Sequence, residues 1–330
     1  MPVFPNRRQV LLVALATLIS APTVGAQPAT RRARVGVLAS STEANFVPSI
    51  KVFRDTLRTA GWAEGQNLTL EVRYGGAGYA RLPEMAAELV RLKVDVIASL
   101  GTPATEAAKR ATTTIPIVME TLSDAVASGL VSNLARPGGN VTGTSGFAPE
   151  LSGKRLELIR EIRPSAARVA ILTNRANRAT AAVIRATEAA AQQMRIQLTI
   201  VDVARPEALE GAFEAMVRGR NDAFVVAADP LLFSYAQRIV ELAARHRLPG
   251  IYEYRPFAEA GGLLSYGPLP QERFAKLAAY VDRILRGAKP GDLPVEQPST
   301  FELVLNLKTA RGLGIDIPAS LRLRADQVID

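Results

Sequence analysis

Short β-rich runs alternate with longer helical stretches along almost the whole chain, and this alternation limits the fold more than any other feature of the sequence. The first β-rich run spans residues 34–39, and the helical pattern that follows it spans residues 46–60 and closes at Gly61. Repeated β–α units form parallel sheets with helices on both faces. The sequence therefore predicts an α/β fold.

The alternation occurs in two successive series, which predicts two similar lobes and not one large sheet. The predicted strands of the first series lie at residues 34–39, 68–74, 94–99, 116–120 and 141–145, and those of the second at 168–173, 197–203, 223–227 and 250–253. A further strand at 263–266 and a helix at 272–286 follow, before a last strand at 301–307. A chain that still holds a β–α unit after its second lobe is expected to cross back to the first. Several crossings between lobes are typical of a hinge.

The first twenty-six residues have the layout of a secretory signal. Arg7 and Arg8 form a positive start, residues 10–19 are almost wholly apolar, and residues 24–26 are small, so cleavage is expected after Ala26. The apolar run is about half as long as the roughly 20 residues that a bilayer-spanning helix needs. An uncleaved anchor is the alternative, and the paired arginines also fit the twin-arginine export route. We therefore expect export to the periplasm.

Composition limits where the protein acts and what it binds. The chain has no cysteine, so after export it has no disulfides and no cysteine that could carry a lipid anchor. This favours a soluble periplasmic protein over a lipoprotein. The net charge is +9, but the arginines are scattered and aromatic residues make up only 5% of the chain. Nucleic-acid binding needs a clustered basic surface, so no nucleic-acid partner is expected.

Ligands of open α/β sheets bind outside the carboxyl ends of the strands, so the residues after each strand are the candidates. In the first series, Thr102 and Pro103 follow the third strand and are expected to be the N-cap and first residue of a helix. Free backbone N–H groups and the helix dipole at such a start suit an anion such as a carboxylate. Ser40 and Ser41 follow the first strand, where hydroxyls cap a helix or bind polar ligand groups.

Matching residues follow the strands of the second series. Asp229 precedes a proline after the third strand of that series, where it either caps the next helix or pairs with an ammonium group of a ligand. Tyr252 and Tyr254 form an aromatic pair at a strand end, and Glu253 between them offers a second carboxylate. Asn174 and Asn177 occupy the place that corresponds to the serines of the first series.

The sequence offers little for catalysis. The single histidine, His246, lies near the end of a helical pattern and has no second histidine for a metal site. Without cysteine there is no thiol nucleophile. Residues 74–78 are glycine-rich but fit neither the dinucleotide fingerprint nor the P-loop. We therefore expect no catalytic residue, no metal and no cofactor, although hydrolysis by a pair of carboxylates stays open.

A series of motifs, taken in order, resembles one protein family. The motifs are GWAEGQN at 61–67, RLP at 81–83, GTPA at 101–104, TTIPIV at 113–118, RPGGNVTG at 136–143, KRLEL at 154–158, Asp229 with Pro230, YEYR at 252–255, GGL at 261–263, SYG at 265–267, FELV at 301–304 and NLKTA at 306–310. Over residues 33–330 the chain resembles substrate-binding proteins of ABC transporters with the type I periplasmic-binding fold. It is most similar to the branch that includes tryptophan- and tyrosine-type binders.

The resemblance implies two Rossmann-like lobes on a multi-crossing hinge, which close on a small polar or zwitterionic, amino-acid-like solute. It implies a monomer that delivers this solute to an ABC permease in the cytoplasmic membrane. The N-terminal lobe would contain residues 33–145 plus 265–288, and the C-terminal lobe residues 146–264 plus 289–330. The resemblance also implies that Asp124 and Thr105 face the cleft. The expected ligand-binding set is Ser40, Ser41, Thr102, Ala104, Thr105, Asp124, Asn174, Asn177, Asp229, Tyr252, Glu253 and Tyr266.

The chain departs from the family pattern at two places. The family often has Gly-Asp-Pro where this chain has Ser-Asp-Ala at 123–125, and prolines where it has Arg175 and Arg178. The two arginines favour a more acidic ligand. Two other functions stay open from the residues: a receptor of the same shape that docks on a membrane sensor, and an enzyme that uses Asp229 and Glu253 as a carboxylate pair.

Overall fold

The computed structural model describes residues 32–76, 78–146 and 148–330, and residues 32–330 form one structural unit. The predicted export signal at residues 1–26 lies outside the described residues. Within the part of the chain that is described, no helix is long and apolar enough to cross a membrane.

Strands and helices follow one another largely as the sequence predicts. The strands are β1 (Ala33–Ala39), β2 (Leu68–Tyr74), β3 (Val96–Leu100), β4 (Ile117–Glu120), β5 (Val141–Thr144), β6 (Arg168–Thr173), β7 (Gln197–Asp202), β8 (Ala223–Val226), β9 (Gly250–Tyr252), β10 (Leu264–Pro268), β11 (Phe301–Asn306) and β12 (Gln327–Ile329). The α-helices are α1 (Glu43–Thr59), α2 (Leu82–Arg91), α3 (Thr102–Ala111), α4 (Ala148–Ile162), α5 (Thr180–Gln193), α6 (Leu209–Arg218), α7 (Pro230–Ser234), α8 (Ala236–Arg245), α9 (Arg255–Glu259), α10 (Pro270–Leu285), α11 (Leu307–Leu313) and α12 (Ala319–Arg324).

The first lobe is a parallel five-stranded sheet with the order β2-β1-β3-β4-β5 and helices on both faces. Neighbouring residues of a strand point to opposite faces of the sheet. Val96 of β3 accordingly packs in the apolar cluster that contains α1 and α10, and Ile97 packs in the cluster that contains α2 and α3. Both faces are thus covered, and the carboxyl ends of the strands remain available to form a site.

The second lobe is a seven-stranded sheet with the order β12-β11-β10-β9-β8-β6-β7. Its strands pair in parallel except for β10 and β11, which are antiparallel. Val169 and Ile171 of β6 pack in the cluster that contains α4 and α5, and Leu172 packs in the cluster that contains α6 and α8. The prediction of two α/β lobes, each with helices on both faces of its sheet, is confirmed.

The chain crosses between the lobes at positions that differ from the expected boundaries. The boundary expected at residue 265 falls inside β10, which pairs with β9 and β11 of the second sheet, so the crossing lies at Leu269, before α10. The return expected at residue 289 lies after Glu296. The chain before that point still follows β5, since Thr142 Oγ1 donates to Leu293 O at 2.7 Å and Glu296 N donates to Gly143 O at 2.9 Å.

The sequence pattern over residues 230–245 predicts a single helix, but the structure has two helices there, α7 and α8. Ser234 ends α7 and donates its hydroxyl to Pro230 O at 2.8 Å, and Tyr235, with φ −112° and ψ 25°, separates α7 from α8. The Oγ atoms of Ser234 and Ser41 are 2.6 Å apart. The break therefore ends α7 at a residue that contacts the first lobe.

Candidate ligand-binding cleft

A cavity of about 360 Å³ lies between the two lobes. The first lobe lines it with the start of α1, the end of β4 and the first turn of α10, and the second lobe with residues that follow β8 and β9. Its volume falls within the range of roughly 300–1,000 Å³ that is usual for small-molecule sites. The cavity also lies at the carboxyl ends of strands, where ligands of such sheets bind.

Two pairs of aromatic side chains line this cavity, one pair from each lobe. Phe46 of α1 and Phe274 of α10 belong to the first lobe, with ring centroids 6.3 Å apart. Phe233 of α7 and Tyr254 belong to the second lobe, with ring centroids 4.8 Å apart. These separations are those of interacting rings. The cavity thus has an aromatic wall on each side.

A buried ion pair forms the polar part of the wall. Glu120 is the last residue of β4, Arg273 lies in the first turn of α10, and both side chains line the cavity. Arg273 Nε donates to Glu120 Oε1 at 2.7 Å, and Nη2 donates to the same oxygen. Charge-assisted bonds of this kind hold both side chains in a fixed geometry.

Two further buried charges lie next to this pair, in the second lobe. Arg155 Nη2 lies 3.4 Å from Glu253 Oε2, and it also donates to Tyr266 O at 3.2 Å. Burial raises the pKa of Glu253, and the positive charges of Arg155 and Arg273 oppose that rise. Among the described residues, neither carboxylate oxygen of Glu253 has a hydrogen-bond partner. With Glu253 ionised, these four residues carry two charges of each sign and the cluster is neutral.

Asp229 is fully buried and is hydrogen-bonded by protein groups on both of its oxygens. As the N-cap of α7, it accepts bonds from Leu231 N and Leu232 N. It also accepts bonds from Asn177 Nδ2 at 3.0 Å, Asn174 Nδ2 at 3.2 Å and, across the cleft, Tyr79 Oη at 2.7 Å. Burial raises the pKa of Asp229 above its ordinary value, and the bonds from Tyr79 and Asn177 oppose that rise. When a carboxyl group accepts five hydrogen bonds, its oxygen lone pairs are all used and none is left to hold a proton. We therefore expect Asp229 to be ionised.

Most backbone N–H groups at the start of α3 already have hydrogen-bond acceptors within the protein. The N-cap is Gly101, and not Thr102 as the sequence predicted, because Thr102 is already helical. Ala104 N donates to Ser40 Oγ at 2.9 Å, and Thr105 N donates to Gly101 O at 3.1 Å. Thr102 itself lines the cavity, and its hydroxyl lies 2.7 Å from that of Thr121. The anion site expected at this helix start therefore lacks the amide of Ala104.

The structure brings some of the predicted residues to the cavity and places others behind it. Thr102 and Asn177 line the cavity. Ser40, Ala104, Thr105, Asn174, Asp229 and Glu253 are buried near it, and Ser41 contacts Ser234 across the cleft. A role of these residues in ligand binding stays a prediction.

Several predicted residues point elsewhere. Tyr252 is fully buried and its ring stacks on Phe257, with centroids 4.7 Å apart, because the side chain faces the core of the second lobe and not the cleft. Asp124 Oδ1 caps a turn by accepting bonds from the backbone N–H groups of residues 126 and 127. The ring of Tyr266 stacks on that of Phe301. None of these three side chains is part of the cavity lining.

The two arginines expected to favour an acidic ligand also lie away from the cavity. The side chain of Arg178 is 75% exposed and lies 4.0 Å from Glu106 of the first lobe, and Arg175 is exposed. In the described part of the chain, no group of three or more His, Cys, Asp or Glu side chains is arranged to hold a metal ion.

Sequence reasoning pointed to Tyr254 but missed the other three aromatic side chains of the walls and the buried ion pair. The sequence did point to Glu120, because this residue lies at the end of a predicted strand, which is where the other candidates were sought. Phe46, Phe233 and Arg273 carried no such signal, because each lies within a predicted helix, where an apolar or basic residue is ordinary.

Comparisons with known proteins agree with this geometry. Residues 33–329 match the model of the family described as ABC transporter substrate binding protein. A curated relative, the tyrosine-binding protein of Clostridioides difficile, is 26% identical over 278 residues, which are 84% of this chain and 78% of the relative.

Two solved structures are similar over 90% of this chain and 100% of their own length. One is a conserved domain protein from Vibrio cholerae, with 27% identity and a TM-score of 0.86. The other is an ABC domain in complex with L-Trp from Streptococcus pneumonia, with 26% identity and a TM-score of 0.85. The two-lobed fold expected from the sequence, that of type I periplasmic-binding proteins, is confirmed.

Proposed function

The chain belongs to the ABC transporter substrate binding protein family, and on that basis we propose that it is the periplasmic receptor of an ABC importer. It captures a small zwitterionic solute of the amino-acid type between its lobes and delivers it to a permease in the cytoplasmic membrane. Proteins of this family typically act outside the cytoplasmic membrane, and the layout of residues 1–26 supports the same location.

The two aromatic walls are the observation that carries this proposal. Phe46 and Phe274 face the cavity from one lobe, and Phe233 and Tyr254 face it from the other. A flat ring held between such walls gains apolar burial and ring contacts on both faces. An aromatic amino acid is the ligand that this lining favours, and the relatives that bind L-Trp and tyrosine support the same class.

The ion pair in the cavity wall suits the charged carboxylate and ammonium groups of such a ligand. Arg273 offers donors to a carboxylate, and Glu120 offers an acceptor to an ammonium group. With Glu253 ionised, the charges of the pair and of its two buried neighbours, Arg155 and Glu253, sum to zero. A ligand with a net charge then finds no excess of opposite charge in the cavity wall. A zwitterion meets both of its charges without leaving one unpaired.

Binding without turnover is supported by the surroundings of the two carboxylates that were considered for catalysis. Asp229 is held by five donors and Glu253 is buried beside Arg155, and neither lines the cavity. A general acid or base must reach the proton that it transfers. The protein therefore has a receptor role in this proposal.

A panel of closely matched compounds tests the proposed ligand class by calorimetry and thermal shift. We expect L-tryptophan, L-tyrosine or L-phenylalanine to bind and to raise the melting temperature. Tryptamine, which lacks the carboxylate, and indole-3-propionate, which lacks the ammonium group, should bind at least about tenfold more weakly, or ~1.4 kcal/mol. L-glutamate and L-lysine serve as charged controls. Tighter binding of a charged control than of every aromatic amino acid would exclude the proposed class.

A further inference from the structure

Tyr79 of the first lobe reaches into the second lobe. It lies between β2 and α2, and its ring packs against apolar clusters of both lobes, which include Leu82 and Leu231 respectively. Its hydroxyl donates to Asp229 Oδ2 at 2.7 Å and accepts from Asn174 Nδ2 at 3.2 Å. Both the ring and the hydroxyl therefore bridge the cleft.

The acceptor for this hydroxyl is built by the second lobe alone. Asp229 Oδ1 accepts bonds from Leu231 N at 2.9 Å, from Leu232 N at 3.1 Å and from Asn174 Nδ2, and Oδ2 accepts a bond from Asn177 Nδ2. These four bonds do not depend on where the first lobe lies. Among the described residues, Tyr79 supplies the one bond to Asp229 that comes from the other lobe. Separation of the lobes would break that bond and keep the rest.

We propose that Tyr79 is a positioning residue that sets ligand affinity by holding the lobes together, without touching the ligand. Tyr79 does not belong to the lining of the cavity. The apparent dissociation constant of a receptor rises as the fraction of molecules in the binding-competent form falls. A contact that favours the closed lobes therefore tightens the binding of every ligand that the cavity accepts. This inference rests on the proposed function, because it assumes that the lobes close on a solute.

The bond made by Tyr79 is a hydrogen bond across the cleft to a carboxylate. Burial and the charge of Asp229 raise the pKa of Tyr79, so its hydroxyl keeps its proton and stays a donor at neutral pH. The cross-lobe hydrogen bonds of Ser234 join neutral groups, since its hydroxyl lies 2.6 Å from that of Ser41 and accepts from Asn45 Nδ2 at 3.2 Å. A hydrogen bond to an ionised acceptor is about twice as strong as one between neutral groups.

The substitution Tyr79→Phe tests the proposal because it removes the hydroxyl and keeps the ring. The chain has no cysteine, so Glu84→Cys in α2 and Glu214→Cys in α6, both exposed, place one fluorescent dye on each lobe. In the ligand-free protein we expect Tyr79→Phe to lengthen the mean distance between the dyes. The dissociation constant for L-tryptophan or L-tyrosine should rise about 10- to 100-fold, mainly through faster dissociation.

Tyr74→Phe is the matched control, because Tyr74 ends β2 in the same lobe and packs against the apolar cluster of that lobe. It should change neither the distance nor the dissociation constant. An unchanged distance and affinity in Tyr79→Phe, at the wild-type melting temperature, would overturn the proposal. If neither amino acid binds the wild-type protein and Tyr79→Phe still lengthens the ligand-free distance, the ligand assignment fails and the role of Tyr79 stands.

Discussion

Arg273 and Glu120 are hydrogen-bonded in the wall of the cavity although they lie 153 positions apart in the sequence. Glu120 ends β4, whereas Arg273 follows the crossing at Leu269 that brings the chain back to the first lobe. The pair therefore forms only when the fold of the first lobe is complete. It places one fixed charge of each sign beside the aromatic walls.

Replacement of Glu120 by Gln should change which ligands are preferred. The variant leaves Arg273 without a carboxylate, so an aromatic carboxylate that lacks an ammonium group becomes the better partner. We expect binding of indole-3-propionate relative to L-tryptophan to improve by about tenfold, or ~1.4 kcal/mol, as measured by calorimetry. The exposed residue Glu84 provides the control, Glu84→Gln. Equal changes for both ligands would contradict a role of the pair in selecting charge.

Gly101→Ala should hinder contact between the lobes. Gly101 has φ +90°, and a Cβ there would lie 3.2 Å from Pro230 Cγ of the second lobe and 3.0 Å from Ser40 Oγ. Gly129→Ala is the control, since Gly129 has φ +72° but no atom within 4 Å of a Cβ. Both variants should lose about 1–2 kcal/mol of unfolding free energy from backbone strain. Weaker ligand binding is expected for Gly101→Ala alone, and a similar loss in both would count against this prediction.

Phe233→Ala should weaken the binding of aromatic ligands selectively. The substitution removes one ring from the wall that Phe233 forms with Tyr254. A ring contact contributes about 0.5–1.5 kcal/mol beyond burial, so we expect L-tryptophan to lose at least about twofold more affinity than L-leucine. Calorimetric titration with both amino acids gives the comparison. Val217→Ala, at an exposed apolar residue of α6, should leave both affinities unchanged.

Glu272 should make the stability of the hinge region sensitive to acid. Burial raises the pKa of Glu272, but hydrogen bonds from Lys276 and Ser299 outweigh burial and hold the value at about 2, below the ordinary 4.5. A carboxylate with a lowered pKa contributes stability above its unfolded value and loses it as pH falls through the folded value. The difference in unfolding free energy between wild type and Glu272→Gln should therefore be constant above about pH 5 and shrink between pH 4.5 and 2. Denaturant titrations across this range measure it, and a constant difference down to pH 2 would refute the assignment.

The pattern of the sequence was sufficient to predict the layers of the fold. The strand predicted at 68–74 matches β2, because alternation of apolar and polar residues marks a strand that is buried on one face. The sequence pattern did not predict the division of the helix at Tyr235, which follows a residue, Ser234, that contacts the first lobe. The crossing at Leu269 was likewise misplaced, because strand pairing between distant segments has no local signal.

The candidate site was predicted less well than the fold. The rule that ligands lie at strand ends led to Thr102 and Asn177, which line the cavity. The same rule led to Tyr252, but side chains alternate along a strand, and Tyr252 turns towards the core. Phe274 and Arg273 reach the cavity from the start of α10. The chain returns to the first lobe just before this helix, at Leu269. Only the tertiary arrangement brings such residues together.

The position of α10 also has a consequence for how the protein folds. This helix packs on α1 and covers the first sheet, yet it is encoded after almost all of the second lobe. A fragment that ends at residue 146 lacks α10, so apolar residues of α1 such as Phe53 and Leu57 would be left open to water. Contacts between segments so far apart in sequence form late and slow the folding rate. The two lobes are therefore expected to be acquired together, as one cooperative unit.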